Sequence, residues 1–276
     1  MSRRSLNNYQ EKKPLGGLIE RRLHSLMTAV LANSRSVAKQ LEDEGVDARR
    51  ICLIYSGVAE ANAVLTGRTE MRAKLGVQED ALVLVVVANL IAYKGHLDLI
   101  EALGRIASRM PADWQLLVVG RDDGLGAAIR SRAHALGMES HVSFLGVRAD
   151  IRGLLDASDI AVLASHQEGF SNAIIEGMQA GLPMIVTDVG GNAEAVVDGE
   201  TGLVVAPHNP DALADAILHL AGDDELRRRY GEAGRRRVEE HFSLDACVAA
   251  YEALYRGLLG GKTPSDIPQV RYDRAP

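Results

Sequence analysis

The segment ASDIAVLASHQEGFSNAIIEGMQAGLPMIVTDVGG, Ala157–Gly191, predicts a strand, a helix and a second strand in succession. Ile160–Leu163 and Met184–Thr187 are short runs of apolar and β-branched residues, which is typical of strands buried on both faces. Between them, a polar turn leads into Ser171–Ala180, which has the apolar spacing of a helix. Such a unit places its two strands parallel in one sheet, with the helix packed against a face of that sheet.

The same alternation of buried strands and helices extends to both sides of this unit. The other predicted strands are Leu82–Val87, Gln115–Val119, His141–Leu145 and Leu203–Val205, and the other predicted helices are Gly95–Arg109, Gly124–Leu136 and Asp211–Leu220. Repeated strand–helix units predict an α/β fold, a Rossmann-like doubly wound parallel sheet with helices on both faces. We assign this domain to residues 57–240.

The flanking regions have different patterns. Residues 1–56 contain a helix-like stretch at Leu15–Met27 and a single strand–helix–strand unit, which is too small to close a core alone. Its predicted elements are strand Ala29–Ala32, helix Arg35–Glu44 and strand Ile51–Tyr55. Residues 241–276 are predicted to form a helix over Leu244–Leu258, after the helix Asp224–Glu240, and then a frayed, flexible tail over Gly260–Pro276.

Composition restricts the partners. The formal net charge is −6 and aromatic residues make up 4% of the chain, so we expect no nucleic-acid partner. The longest apolar run, Ala81–Ala88, is far shorter than the roughly 20 residues that a spanning helix needs. Cys52 and Cys247 lie far apart and the histidines lack metal-ligand spacing, which predicts a reducing compartment and no metal site.

The first residues are locally basic, with Arg3, Arg4, Lys12, Lys13, Arg21 and Arg22 against Glu11 and Glu20. A solvated helix face or tail is the favoured interpretation. Peripheral contact with an anionic membrane or a partner is the alternative. We expect a cytoplasmic protein, with the inner face of the membrane as the place of any such contact.

The turn before Ser171–Ala180 is the richest candidate site, because ligands of doubly wound sheets bind beyond the carboxyl ends of strands. Gly169 allows close backbone approach, and the amides at Ser171 and Asn172 open a helix N-terminus, which favours an anion such as a diphosphate. Glu176 lies one turn after Asn172 on the same helix face, where it could bind a ribose. Glu168 in the turn could then face a sugar. Taken singly, each carboxylate is more often structural.

Two further turns contribute candidates. Lys94 stands beside a predicted helix start and could serve as a point charge for a phosphate, although on spacing alone a surface lysine is more common. Gly190 and Gly191 precede a short helix and could turn backbone amides toward a ligand, or simply form a tight turn. His166 is interpreted as an ordinary loop histidine.

The ordered motifs resemble the family-4 retaining glycosyltransferases (glycosyltransferase group 1). Glu168 to Glu176 matches the Glu-x7-Glu motif of that family. The other matching segments, in order, are ANS (Ala32–Ser34), IYSGV (Ile54–Val58), KGH (Lys94–His96), FLGVRADI (Phe144–Ile151) and DGETGLVV (Asp198–Val205). The similarity extends from about residue 28 to residue 255.

This resemblance implies a GT-B fold and a nucleotide-diphosphate sugar donor, bound without a metal or other cofactor; UDP-, GDP- and ADP-sugars are the candidates. It implies that Glu168 lies near the donor-sugar hydroxyls and that Glu176 bonds the ribose. The backbone at Gly169 and Phe170 is implied to meet sugar and phosphate, and Lys94 to stabilise the departing diphosphate. The final helix resembles one that crosses back to the first domain.

The sequence departs from the family in two ways. Asn89 stands where the family often has an arginine, five residues before Lys94. Residues 1–56 match only the last part of the family's N-terminal, acceptor-side domain. We therefore expect a remnant that self-associates or needs a partner chain. The main hypothesis is a retaining hexosyltransferase acting on an unknown glycan, lipid or small-molecule acceptor. The alternatives are a nucleotide-sugar-binding module without its own turnover and a sugar-nucleotide epimerase of similar shape.

Overall fold

A computed structural model of the chain describes residues 1–5, 22–24, 26–59 and 67–272. Most of the predicted helix at 15–27 and the basic residues Lys12, Lys13 and Arg21 lie outside these ranges. The first sheet is small, has three parallel strands and pairs in the order β1-β2-β3. Its elements are β1 (Ser2–Arg3), β2 (Val30–Ala32), α1 (Arg35–Asp43) and β3 (Ile51–Leu53).

The second sheet has six parallel strands. Its strands are β4 (Leu82–Val87), β5 (Trp114–Val119), β6 (Val142–Gly146), β7 (Ile160–Leu163), β8 (Met184–Thr187) and β9 (Gly202–Val205). Its helices are α2 (Arg68–Leu75), α3 (His96–Ile106), α4 (Gly126–Ala135), α5 (Ile151–Asp156), α6 (Asn172–Gln179), α7 (Asn192–Ala195), α8 (Pro210–Ala221) and α9 (Asp224–His241), and α10 (Leu244–Leu259) follows. The predicted doubly wound parallel sheet is confirmed.

The strand order β6-β5-β4-β7-β8-β9 reverses direction between β4 and β7. Both faces of the sheet are buried, because alternate strand residues enter two separate cores. Leu84 and Leu116 pack toward α3, α4 and α8, whereas Val85 and Leu117 pack toward α2, α5 and α6. Burial on both faces explains why the strands appear in the sequence as continuous apolar runs. The order also creates a crevice at the carboxyl ends of β4 and β7, where doubly wound folds bind ligands.

Strand β1 is absent from the sequence-based prediction. Ser2 and Arg3 extend the small sheet by pairing with Leu31 and Ala32. Arg3 is buried, and its guanidinium donates to both carboxylate oxygens of Glu44 at 2.8 Å. Arg3 is therefore neither part of a solvated tail nor available to a membrane surface.

The predicted frayed tail is wrong for residues 260–272. The chain makes short 3₁₀ turns at Pro264–Asp266 and Pro268–Val270 and buries Ile267 and Val270 against the small sheet and α10. Arg271 then forms an antiparallel bridge with Cys52. Proline at the first position of each turn suits this path, because the first N–H of a helical turn needs no partner. Residues 273–276 lie outside the described ranges.

Two connections join the small sheet to the large one. The N–H of Val58 donates to the carbonyl of Phe242 at 3.0 Å, and the N–H of Leu244 donates back to Val58 at 2.9 Å. Tyr55, Phe170 and Phe242 form an aromatic cluster with ring centroids 5.3–5.6 Å apart. The start of α10 therefore lies against the chain that leaves the small sheet. Among the described residues, no helix combines the length and apolarity that a membrane crossing requires.

Candidate active site

The candidate site lies where the turns after β4 and β7 meet, on either side of the strand-order reversal. Gly95 has φ +67°, and a Cβ built on it would lie 1.8 Å from the carbonyl oxygen of Ala164. The N–H of His166 donates to the carbonyl of Tyr93 at 2.7 Å. Only glycine permits this approach, which brings the two turns into contact.

Lys94 and Glu168 form the ionic centre of the site. The Lys94 Nζ atom lies 2.5 Å from Glu168 Oε1, with the two side chains 17% and 9% exposed. The hydroxyl of Ser165 donates to the same oxygen at 2.7 Å. The sequence predicted both charged residues, and the structure brings them together. Ser165 was missed because its role depends on the bend of the turn, which carries no spacing signal.

Helix α6 follows this turn and carries the second motif carboxylate. Ser171 is its N-cap residue, and its side chain makes no capping hydrogen bond. Burial raises the pKa of Glu176 above its usual value. Glu176 takes part in none of the ion pairs among the described residues, so it is a half-buried carboxylate without a cation. Asn172 is exposed and lines a different cavity, of about 140 Å³, between the small sheet and α10.

Gly190 and Gly191 let a third turn pack on the first. A Cβ at Gly190, whose φ is +54°, would lie 1.8 Å from the carbonyl oxygen of Glu168. The Gly191 N–H donates to the carbonyl of Gly169 at 2.8 Å. That amide is therefore hydrogen-bonded within the protein, where it holds the Glu168 turn in place.

Phe170 and Asn89 also have structural partners. The Phe170 ring is buried in the aromatic cluster, where it packs against Tyr55 and Phe242. The Oδ1 atom of Asn89 accepts from the Arg121 N–H at 3.2 Å, which ties the turn after β4 to the turn after β5. Arg121 is an exposed cation beside Asn89, paired with Asp123 at 2.6 Å. Spacing could not identify it, because it belongs to a different turn.

A cavity of about 130 Å³ opens beside Asn89, at the carboxyl ends of β4, β5 and β6. Leu90, Val118 and Phe144 contribute its apolar surface, and Gly120 and Gly146 contribute backbone. The guanidinium of Arg130 lies 4.0 Å from the centroid of the Phe144 ring and is one of the lining groups. A narrow slot with apolar walls and backbone polar groups suits a flat, polar-edged ring.

Glu194 joins the two sheets and was not predicted. Its carboxylate accepts from the N–H groups of Arg35 and Ser36 at 2.7 and 3.0 Å, which are at the start of α1. It also accepts from the Ser36 hydroxyl at 3.1 Å and from the Tyr55 hydroxyl at 2.9 Å. A carboxylate at a helix N-terminus is favoured by the free N–H groups and the helix dipole. Burial, followed by the Glu194 charge, raises the pKa of Tyr55.

The buried side chain of His96 makes the stability of this region depend on pH, which can be tested. Burial lowers the pKa of His96 to about 4, with a smaller contribution from the Lys94 charge. The unfolded state binds a proton near pH 6.5 whereas the folded state does not, so stability falls as the pH falls from about 6.5 to about 4. We expect His96→Gln to remove about 2–3 kcal/mol of this pH dependence, measured by urea unfolding at several pH values. An unchanged pH profile would contradict the assignment.

Comparison with known proteins identifies the family. The family model "Glycosyl transferases group 1" matches residues 67–237. N-acetyl-alpha-D-glucosaminyl L-malate synthase of Bacillus anthracis is 30% identical over 230 residues, 83% of this chain and 60% of that protein. A D-inositol 3-phosphate glycosyltransferase of Corynebacterium glutamicum is 33% identical over 197 residues, 69% of this chain and 47% of that protein. The chain thus spans 47–60% of these relatives.

Solved structures agree on the fold. Sucrose-phosphate synthase from Thermosynechococcus elongatus superposes with a TM-score of 0.80 at 26% identity, covering 93% of this chain and 64% of that one. Anabaena HepE in complex with UDP-glucose superposes with a TM-score of 0.80 at 25% identity, covering 88% and 68%. The neighbours are GT-B glycosyltransferases, so the fold class is GT-B. The chain belongs to the glycosyl transferases group 1 family.

Proposed function

We propose that this chain carries the donor site of a family-4 retaining glycosyltransferase, which transfers a sugar from a nucleoside diphosphate sugar without a metal ion at the reacting groups. The observation that carries the proposal is the Lys94–Glu168 contact of 2.5 Å at the strand-order reversal of the large sheet. A cation and a carboxylate at this edge can serve the two halves of a donor, its diphosphate and its sugar.

Lys94 serves the diphosphate. When the bond between the sugar C1 and the phosphate oxygen breaks, negative charge develops on the departing diphosphate. A half-buried ammonium stabilises that charge more strongly than water-exposed lysine does, because the local dielectric is lower. The free N–H groups at the start of α6 add a second favourable site for phosphate oxygens. Together they take the place that a metal ion has in other transferases.

Glu168 serves the sugar. Its Oε1 atom is held by Ser165 and Lys94, so the carboxylate is fixed before the donor arrives. A fixed carboxylate accepts hydrogen bonds from sugar hydroxyls at little entropic cost. The phosphate competes for Lys94 when the donor binds, which leaves Glu168 oxygens available to the sugar.

Glu176 and the cavity beside Asn89 serve the nucleoside. Ribose hydroxyls are donors that satisfy the half-buried Glu176 carboxylate, and the slot at Leu90 and Phe144 accepts the base. Because a structural neighbour at 25% identity is described in complex with UDP-glucose, we propose a UDP-sugar as the donor. We propose that the acceptor binds to the region that the relatives have and this chain does not span, which a partner chain would supply.

Turnover of UDP-glucose and UDP-N-acetylglucosamine tests this proposal. We expect slow release of UDP, with water as acceptor, and a first-formed free sugar that keeps the α configuration in a proton NMR time course. A first-formed β sugar would contradict retention. Saturable donor binding with no UDP release would instead favour a nucleotide-sugar-binding module without its own turnover.

Glu176→Gln separates binding from stability. We expect the variant to bind UDP about tenfold more weakly, since a hydrogen bond to a charged group contributes about 1.5–3 kcal/mol. We also expect it to melt at a higher temperature than the parent protein at pH 7. The raised pKa means that the folded state disfavours the charged carboxylate, so stability falls as the pH rises above about 4.5.

Thermal melts at several pH values measure this second effect. The difference in melting temperature between Glu176→Gln and the parent should shrink toward pH 4.5, where the Glu176 carboxyl becomes increasingly neutral, as the glutamine amide is at every pH. Glu200→Gln, at an exposed glutamate, is the matched control and should change neither quantity. Unchanged UDP affinity in a folded Glu176→Gln protein would remove the ribose role.

A further inference from the structure

Asp98, His166 and His208 converge beside the candidate site from three separate parts of the chain. Asp98 lies in the first turn of α3, His166 in the turn after β7, and His208 between β9 and α8. One potential ligand atom from each lies within 4.8 Å of the others, and within the described ranges this is the one group of three such residues. They border a cavity of about 450 Å³ that also contacts Tyr93 and Gln167.

The geometry of the first pair matches two ligands of one ion. His166 Nε2 lies 2.8 Å from Asp98 Oδ2. Two ligands about 2.0–2.1 Å from a zinc ion at the tetrahedral angle would be separated by about 3.3 Å, so binding an ion opens this pair by about 0.5 Å. The present hydrogen bond therefore already holds both atoms close to the separation that coordination requires. Both side chains are mostly buried, at 20% and 23% exposure, so the pair is held in place by its surroundings.

His208 supplies the third group. Its ring lies over the His166 ring with centroids 3.7 Å apart, and it is exposed on the open side of the cavity. A tetrahedral arrangement needs nitrogens about 3.3 Å apart, so the His208 nitrogen must move inward by about 1.5 Å at most. An exposed side chain achieves such a shift by rotation about its own bonds.

The backbone of His208 provides an independent observation. Its φ is +56°, and it is the one non-glycine residue with positive φ in the described part of the chain. A β-carbon in this region costs free energy that glycine would avoid. A histidine kept in a glycine conformation, with its ring over a second histidine and an aspartate, indicates that the side chain has a use.

We propose that Asp98, His166 and His208 bind a divalent transition-metal ion, with Zn²⁺ as the best fit. Two imidazoles and one carboxylate are typical ligands of zinc, with the open fourth position filled by water from the cavity. Mg²⁺ and Ca²⁺ prefer oxygen ligands, so the histidines discriminate against them. Sequence spacing missed this group because its members are distant in the chain.

The bound ion has a positioning role and takes no part in the transfer step. It would tie the turn at His166, two residues before Glu168, to the first turn of α3, which begins two residues after Lys94. Metal binding should therefore stabilise the contact between the two turns that hold the candidate site. This role is separate from the chemistry that we assign to Lys94 and Glu168.

Titration of the untagged, chelator-treated chain with Co²⁺ tests the site directly, because a His₂Asp site gives cobalt visible absorption bands. We expect one Co²⁺ per chain, displaced by Zn²⁺ and not by excess Mg²⁺. His208→Gly and His166→Gln should each weaken Co²⁺ binding at least tenfold, the lower limit for losing a group that merely supports a metal ligand. His134→Gln, which removes an exposed surface histidine whose ring pairs with Glu139, is the matched control.

Thermal melts distinguish loss of the site from loss of the fold. His208→Gly should be at least as stable as the parent without metal, because glycine suits φ +56°. Zn²⁺ should raise the melting temperature of the parent and of His134→Gln, and leave that of His208→Gly unchanged. Absence of cobalt bands in the folded parent would overturn the proposal. Equal Co²⁺ affinity of the parent and His208→Gly would overturn it as well.

Discussion

Replacing Lys94 by methionine is expected to weaken UDP binding about 100-fold and to leave uridine binding nearly unchanged. The ammonium is a charged donor, and hydrogen bonds to charged groups contribute about 1.5–3 kcal/mol each. The site is 17% exposed at Lys94, so solvent screens its charge less than that of a surface lysine. Methionine keeps the length of the side chain and removes only the charge and its donors. Calorimetric titration with UDP and uridine measures both affinities.

The control for this variant is another lysine–glutamate pair in the same protein. Lys74 and Glu70 lie 2.7 Å apart on α2, but both side chains are more than half exposed. Lys74→Met should leave UDP affinity unchanged. An equal loss of UDP and uridine binding in Lys94→Met would mean that the lysine supports the fold of the site rather than a phosphate contact.

Replacing Glu194 by alanine is expected to give the largest loss of stability, about 3 kcal/mol. The carboxylate accepts four hydrogen bonds, and two come from the backbone at the start of α1. Its removal leaves the Tyr55 hydroxyl and the α1 amides without this acceptor, and unpaired partly buried donors are costly. Glu194→Gln keeps an acceptor oxygen and loses the charge, so we expect about half of the effect. Urea unfolding measures both variants.

Hydrogen exchange identifies where the Glu194 effect arises. Faster exchange of the Arg35 and Ser36 amides in Glu194→Ala would indicate that α1 has been released from the large sheet. Glu239→Ala removes a carboxylate of an exposed pair with Arg235 and should change stability by less than about 0.5 kcal/mol. Unchanged exchange at Arg35 and Ser36 would contradict the proposed link between the two sheets.

The sequence-based prediction was most accurate where burial on both faces leaves a continuous apolar run. Strand Leu82–Val87 has the predicted bounds, and Trp114–Val119 differs by one residue. The prediction missed β1, because a two-residue strand has no periodicity to detect. The burial of Arg3 depends on its ion pair with Glu44, which is 41 positions away in the sequence. The prediction failed again after Gly260, where Ile267 and Val270 find a core that lies in the first sheet.

The residues of the candidate site also fall into those that the sequence could predict and those that it could not. Lys94 and Glu168 could be predicted because the carboxyl ends of parallel strands meet at one edge of a sheet. Ser165 could not, because its contact with Glu168 depends on the bend of the turn. Glu194 and His208 could not, because each owes its role to partners from distant segments. Gly191 was predicted either to turn its amide toward a ligand or to form a tight turn, and the amide donates to the Gly169 carbonyl. The place of these residues in the fold could therefore be predicted from the sequence, whereas the residues that they contact could not.

We propose that this chain contains a donor site built around Lys94 and Glu168. Calorimetric titration of the purified chain with UDP, GDP and ADP tests it most directly, with uridine titrated in parallel. We predict saturable binding of one UDP per chain, tighter than GDP or ADP and at least about 100-fold tighter than uridine. A folded protein that binds none of the three diphosphates, or binds uridine as tightly as UDP, would contradict a donor site at Lys94 and Glu168.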